Sequence, residues 1–173
     1  MRHLRERSAT WTHLGSHVSS FRHQPFSTRF HKMGDEAEQM FEQVNPFGRF
    51  QRFGWNRPEV SMFDMGNNIK AMPDYYTAGY LVECMGLGRD GVLKLKVDKY
   101  DALKWWCTSG NEVMLFAWNS STREYAFVDW GVLKALVARA RRAGIEAFEN
   151  DGNQYYPIQW EWVSGRVHVP SQA

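Results

Sequence analysis

The spacing of apolar residues along this chain changes several times, and each change marks an element. Between Asp35 and Val44, Ala37, Met40, Phe41 and Val44 recur at three-and-four spacing, which predicts an amphipathic helix ending at Asn45-Pro46. The stretch NPFGRFQRFGWNRP follows and reads as a long loop or a loosely paired hairpin. Ile69 to Tyr76 and Gly79 to Met85 are two short apolar runs around Thr77-Ala78-Gly79, a hairpin pattern; Tyr80-Leu81-Val82 lacks alternation, as a central strand does. Leu93 and Leu95 then alternate with Lys94 and Lys96, before Tyr100, Leu103 and Trp106 fall at helical spacing. A helix from Asp98 to Trp106 is expected, with Asp98 as its cap.

Glu112 to Trp118 is almost continuously apolar, the mark of a strand covered on both faces. Tyr125 to Trp130 predicts another strand. Gly131 to Ala143 sets Leu133, Leu136, Val137 and Ala140 on one helical face before Gly144 ends it, and a final strand is expected around Tyr156 to Val163. Helix, strand, strand, helix, strand, strand, helix, strand is the order of an α/β fold, a mixed central β-sheet flanked by helices.

Composition adds boundaries. A chain of 173 residues suits one core, assigned here to residues 33–165 with a short tail at 166–173. Residues 1–32 differ from the rest: Arg2, Arg5, Arg7, Arg22, Arg29 and Lys32 stand against Glu6 alone, with five scattered histidines. They read as a flexible basic arm, with Met33 as an alternative start; they share the composition of a transit peptide but not its helical period. Cys84 and Cys107 form no CxxC pair, which argues against zinc and for a reducing cytoplasm. No apolar run approaches the roughly 20 residues that span a bilayer, so a soluble protein without a membrane partner is expected. The absence of GxSxG, HxE and PCxxC argues against acyl transfer and zinc deamination.

The chemistry concentrates in MPDYYTAGYLVECMG, Met72 to Gly86. Glu83 interrupts an apolar strand, where an unpaired carboxylate costs several kcal/mol. Either a lysine from the next segment pairs with it or a metal does. Asp74 lies on the preceding strand and can converge with Glu83 across the pair; two such carboxylates suit Mg²⁺ (or Mn²⁺). Strand alternation puts Glu83 and Met85 on one face and Cys84 on the other, so Cys84 reads as core.

Gly34-x-x-Ala-Glu38-x-x-Phe41, Pro73-Asp74, Glu83-x-x-Gly86 and Lys99-x-x-x-Leu103 occur in that order. Together they resemble the PD-(D/E)XK nuclease superfamily, the restriction-endonuclease-like fold, over Met33 to Trp130. VECMGLGRDGVLKLK resembles a bacteriophage branch in which the lysine after E-x is replaced. The resemblance implies metal-dependent hydrolysis of DNA phosphodiesters, with branched or Holliday-junction-like intermediates among the candidate substrates and a homodimer as a common assembly. It further implies metal ligation by Asp74, Glu83 and the Cys84 backbone carbonyl, with Glu38 orienting the site. The departure is Met85, where the family keeps its lysine. Either the charge has moved to Lys94, Lys96 or Lys99, with Lys96 the first choice, or the site has become a silent nucleic-acid-binding or dimerising fold. Arg49, Arg52 and Arg57 interleave with Phe47, Phe50, Phe53 and Trp55, a mixture suited to phosphate contact and base stacking, and equally to a hydrophobic loop with basic rims. Arg89, in the glycine turn, completes the expected DNA contacts.

Overall fold

The computed structural model describes residues 26–54, 72–149, 152–163 and 167–168. Helix α1 spans Phe26–Val44, nine residues longer at its start than the Asp35 boundary predicts. The reason lies in the sequence: Phe26, Phe30 and Met33 carry the three-and-four spacing of Ala37 and Phe41 backwards, so the helix takes in the end of the expected basic arm. Residues 1–25 of that arm lie outside the described residues.

Three antiparallel strands follow, β1 (Phe50–Arg52), β2 (Tyr75–Thr77) and β3 (Tyr80–Gly86). The β2–β3 turn is the two residues Ala78 and Gly79, both at positive φ (45° and 90°), the twist-matching type I′ geometry of tight hairpins. Ile69 to Ala71, the start of the expected first strand, lie outside the described residues. β3 then pairs in parallel with β5 (Glu112–Asn119), which pairs with β6 (Glu124–Asp129), itself paired with β9 (Val167–His168). The sheet order is β1-β2-β3-β5-β6-β9.

Parallel neighbours require a crossover. Here it is β4 (Val92–Lys96) running directly into α2 (Val97–Thr108). Asp98 is not the cap of α2: Lys96 occupies that position without a side-chain cap bond, and Asp98 Oδ1 accepts from the Lys99 N–H inside the first turn. Helix α3 spans Trp130–Ala143; Asp129 caps it by accepting from Val132 N–H, and Gly144 closes it at φ 124°. A second, three-stranded sheet runs β4-β8-β7, with β7 at Glu146–Ala147 and β8 at Gln154–Gln159. The strand expected around Tyr156 to Val163 therefore ends earlier, at Gln159, Trp160–Val163 form a 3₁₀ turn, and β9 follows as a further strand.

The protein is thus a mixed α/β structure, its mixed sheet flanked by helices. Two cores lie on opposite faces of the large sheet. Under α1, Ala37 and Phe41 meet Tyr75, Val82, Cys84 and Phe116; on the other face Leu81, Leu93, Leu95, Leu103, Leu115 and Leu133 pack beneath α2, α3 and the small sheet. Full burial of a side chain such as Phe41 or Leu115 contributes about 1.5–3 kcal/mol. Strand β3 divides between these cores by alternation. Val82 and Cys84 face α1, while Leu81 and Met85 face the α2 side. Gly86 ends β3 where a Cβ would stand 2.5 Å from the Met33 carbonyl oxygen, so a glycine lets α1 approach the strand. No described helix is long and apolar enough to cross a membrane.

Candidate active site

Pro73 and the hairpin register together build the site's floor. In a two-residue hairpin the flanking pair, here Thr77 and Tyr80, is hydrogen-bonded, and bonded and non-bonded pairs then alternate. Tyr75–Val82 is the next bonded pair, and two residues further the register sets Pro73 opposite Cys84. Proline has no N–H to give, so the ladder stops there. The Cys84 N–H turns instead to Asp74 Oδ2 at 2.7 Å, fixing that carboxylate at the strand edge. Because N–H and C=O of one strand residue point to the same side, the ladder geometry directs the Cys84 carbonyl to that edge as well.

The Asp74 main chain is clamped from the other side. Its carbonyl accepts from Phe53 N–H at 2.8 Å and Gly54 N–H at 3.2 Å. A Cβ at Gly54 would meet the Pro73 oxygen at 2.8 Å, so this approach needs glycine.

Glu83 lies on the α2 face of β3 and is 4% exposed. Its compensation is Lys99, whose Nζ donates to Glu83 Oε2 at 2.9 Å and to the Met72 carbonyl at 3.4 Å. Burial raises the Glu83 pKa from 4.5 to about 8, with the Asp74 charge adding to it and Lys99 opposing it. Burial also raises Asp74, against Lys99, the Cys84 N–H and Arg52. At Lys99 burial works against the ammonium, but the Glu83 and Asp74 carboxylates outweigh it and the pKa rises. Burial and their mutual repulsion thus favour a proton on this carboxylate pair, and Lys99 opposes it.

Glu38 joins them from α1. Its side chain is 12% exposed and Arg52 Nη1 donates to its Oε2 at 2.7 Å. Its pKa is raised by burial and by Asp74, against Arg52, so Glu38, Asp74 and Glu83 sit within one another's fields.

The lysine assignment needs correction. Lys96, the first choice, and Lys94 lie on β4, which pairs with β8 rather than returning alongside β3. Leu93 and Leu95 bury the opposite face of that strand and so commit it to the second sheet. Lys94 pairs with Asp90 at 2.9 Å, and Lys96 Nζ lies 5.6 Å from the Phe148 ring centroid. Lys99, in the first turn of α2, is the one on Glu83. Cys84 is buried and burial holds its thiol well above the usual pKa, in keeping with a core role.

The expected DNA contacts are dispersed. Arg49 and Arg52 are exposed on or beside β1, Arg89 is exposed in the turn after β3, and Arg57 and Trp55 lie outside the described residues. The phenylalanines pack on the domain, with Phe50 still 39% exposed. Phe47 packs on Tyr80 and Phe127, Phe50 on Phe41 and Tyr75, and Phe53 on Trp106. Two residues near the site escaped the sequence reading, Glu42 and Tyr75. Glu42 stands one turn beyond Glu38 on α1, and that i, i+4 acidic pair was the available signal.

Among the described residues no three His, Cys, Asp or Glu side chains converge as a ready-made metal cage. Mg²⁺ does not need one, because it keeps several waters and takes one or two carboxylates from protein. Asp74 and Glu83 supply that pair, each with one carboxylate oxygen already engaged, by Cys84 N–H and Lys99 respectively. The donor set fits. Comparison of this chain with protein-family models, curated proteins and solved structures finds no match in any of the three.

Proposed function

We propose that this protein is a Mg²⁺-dependent deoxyribonuclease of PD-(D/E)XK type, hydrolysing DNA phosphodiesters on a restriction-endonuclease-like fold. The observation that carries the reading is Lys99: an ammonium from α2 meets the Glu83 carboxylate on the face where Met85 brings no charge. The carboxylates and the lysine then have separate tasks. Asp74 and Glu83, with the Cys84 carbonyl on the same strand edge, would hold Mg²⁺ or Mn²⁺, and a bound ion supplies Lewis acidity toward the phosphate. Lys99 has three N–H donors, of which two are directed at Glu83 and Met72, so one remains for the attacked phosphate or its water. Glu38, held by Arg52, orients the α1 side of the site.

The test is cleavage of labelled duplex, single-stranded and four-way-junction DNA with Mg²⁺ or Mn²⁺. Cutting lost in Asp74→Ala, Glu83→Ala and Lys99→Ala, and kept in Lys96→Ala, is the expected result. No cutting by the wild type on any of these substrates, with DNA binding intact, refutes it in favour of a silent DNA-binding fold. Glu83 neutralised inside the protein by Lys99 is the feature on which that second reading stands.

A further inference from the structure

The outer edge of the carboxylate site holds a cation in a closed network. Arg52 Nη1 donates to Glu38 Oε2 at 2.7 Å, and Nη2 donates to Tyr75 Oη at 2.9 Å and lies 3.5 Å from Glu42 Oε1. Tyr75 Oη in turn donates to Glu42 Oε1 at 2.6 Å, and the guanidinium carbon sits 5.1 Å from the Tyr75 ring centroid. Despite these partners the Arg52 side chain is 43% exposed. An arginine so placed is both tied down and reachable from solvent.

The charges around it are unbalanced. Glu38, Glu42, Asp74 and Glu83 face Arg52 and Lys99, an excess of carboxylate that repels a polyanion. Lys99 is engaged by Glu83 inside the domain. Among the described residues Arg52 is the cation bonded into this carboxylate edge that an incoming phosphate meets first, ahead of the more buried Lys99, and its planar fork suits a phosphate at least as well as a carboxylate.

We infer that Arg52 is a latch, held shut in the free protein by Glu38 and Glu42 and taken from Glu38 by a DNA phosphate. This rests on the reading of DNA as the substrate. Its consequence is coupling. When Arg52 moves to phosphate, Glu38 loses the Arg52 counter-charge, which makes the surroundings of Asp74 more negative and favours a divalent ion there. Metal and DNA then strengthen each other's binding.

The latch makes a prediction opposite to that for an ordinary substrate-binding carboxylate: removing Glu38 should improve DNA binding. Affinity for a labelled duplex is measured in EDTA, so that nothing is cut, as a function of salt. Glu38→Gln is expected to bind roughly tenfold more tightly than wild type at low salt, with a salt slope steeper by about one. Arg52→Gln should bind more weakly, and Arg52→Lys, which keeps the charge without the fork, should fall between. The deciding comparison is Glu38→Gln/Arg52→Gln against Arg52→Gln. No gain in that pair supports the latch. The same gain in both backgrounds means that Glu38 acts only through general charge and overturns it.

Cleavage is scored separately. A protein that shows the Arg52-dependent gain but never cuts keeps the latch and loses the nuclease. A protein that cuts, with equal gains in the two backgrounds, keeps the nuclease and loses the latch. No DNA binding by any variant overturns both.

Discussion

Replacing Glu83 by glutamine tests the electrostatics of the site before any catalysis is measured. Glutamine keeps the length of the side chain and an oxygen for Lys99 Nζ, now 2.9 Å from Glu83 Oε2, but carries no charge. It copies the protonated acid. With a folded-state pKa of about 8 against 4.5 in the open chain, the native state holds a proton at Glu83 that the unfolded chain has released. Stability then falls as pH rises through this window, because the native state binds more protons than the unfolded one. It is greatest below about pH 4.5, as far as Glu83 alone is concerned, and the contribution is lost by the time pH passes 8. At about 1.4 kcal/mol per pH unit the ceiling on that loss is roughly 5 kcal/mol.

The assay is urea unfolding in EDTA across this range. Wild type and Glu83→Gln should have similar midpoints near pH 4, below the unfolded-state pKa, and the variant should become the more stable by about 2 kcal/mol near pH 6 and by on the order of several kcal/mol near pH 9. Adding Mg²⁺ should restore the wild type at high pH and leave the variant little changed, since a ligand of the native state stabilises by mass action. Parallel profiles, or a variant less stable near pH 9, would refute the reasoning. They would mean that Glu83 is ionised throughout and that Lys99 alone compensates it.

Other substitutions probe single supports. Gly54→Ala forces a Cβ to within 2.8 Å of the Pro73 oxygen; it should weaken Mn²⁺ binding, measured by calorimetry, although residue 54 is no ligand. Gly86→Ala, with 2.5 Å to the Met33 oxygen, should cost about 1–3 kcal/mol in urea unfolding as α1 is pushed from β3. Asp129→Ala removes the bond to Val132 N–H at the start of α3 and should lower stability by about 1 kcal/mol without affecting cleavage.

Much of this arrangement was legible in the sequence because hydrophobic period reports burial. Tyr80 to Met85 read correctly as a central strand, with Glu83 and Met85 on one face and Cys84 on the other, since alternation along a strand is fixed by the pleat. Asp74 and Glu83 were paired from a short turn between two apolar runs, and the hairpin exists. What failed was the choice of lysine. The alternating Leu93 and Leu95 made β4 visible, but its partner lies some sixty residues further along at β8, and no local pattern names a partner at that distance. The start of α1 was missed for a different reason: the charged composition of residues 1–32 outweighed the apolar spacing of Phe26, Phe30 and Met33. The Arg52 network was invisible because it joins α1, β1 and β2 only once they are packed.

Met85 now has a physical account. Positions 83 and 85 share a face of β3, roughly 7 Å apart along the strand. Lys99, in the first turn of α2, reaches Glu83, while the half-buried Met85 packs against the edge of the larger core, as Trp106 does. A lysine at 85 would lay its stem along that core. A methionine there and a lysine at 99 divide between two residues what one lysine would have to do, filling the core and supplying charge. This division predicts that Met85→Lys does not rescue Lys99→Ala in the cleavage assay, because an ammonium placed at 85 must give up the apolar contacts Met85 makes with the core before it reaches the carboxylates. Full rescue would show that the strand position remains open to the site and that Lys99 is not fixed by the packing described here.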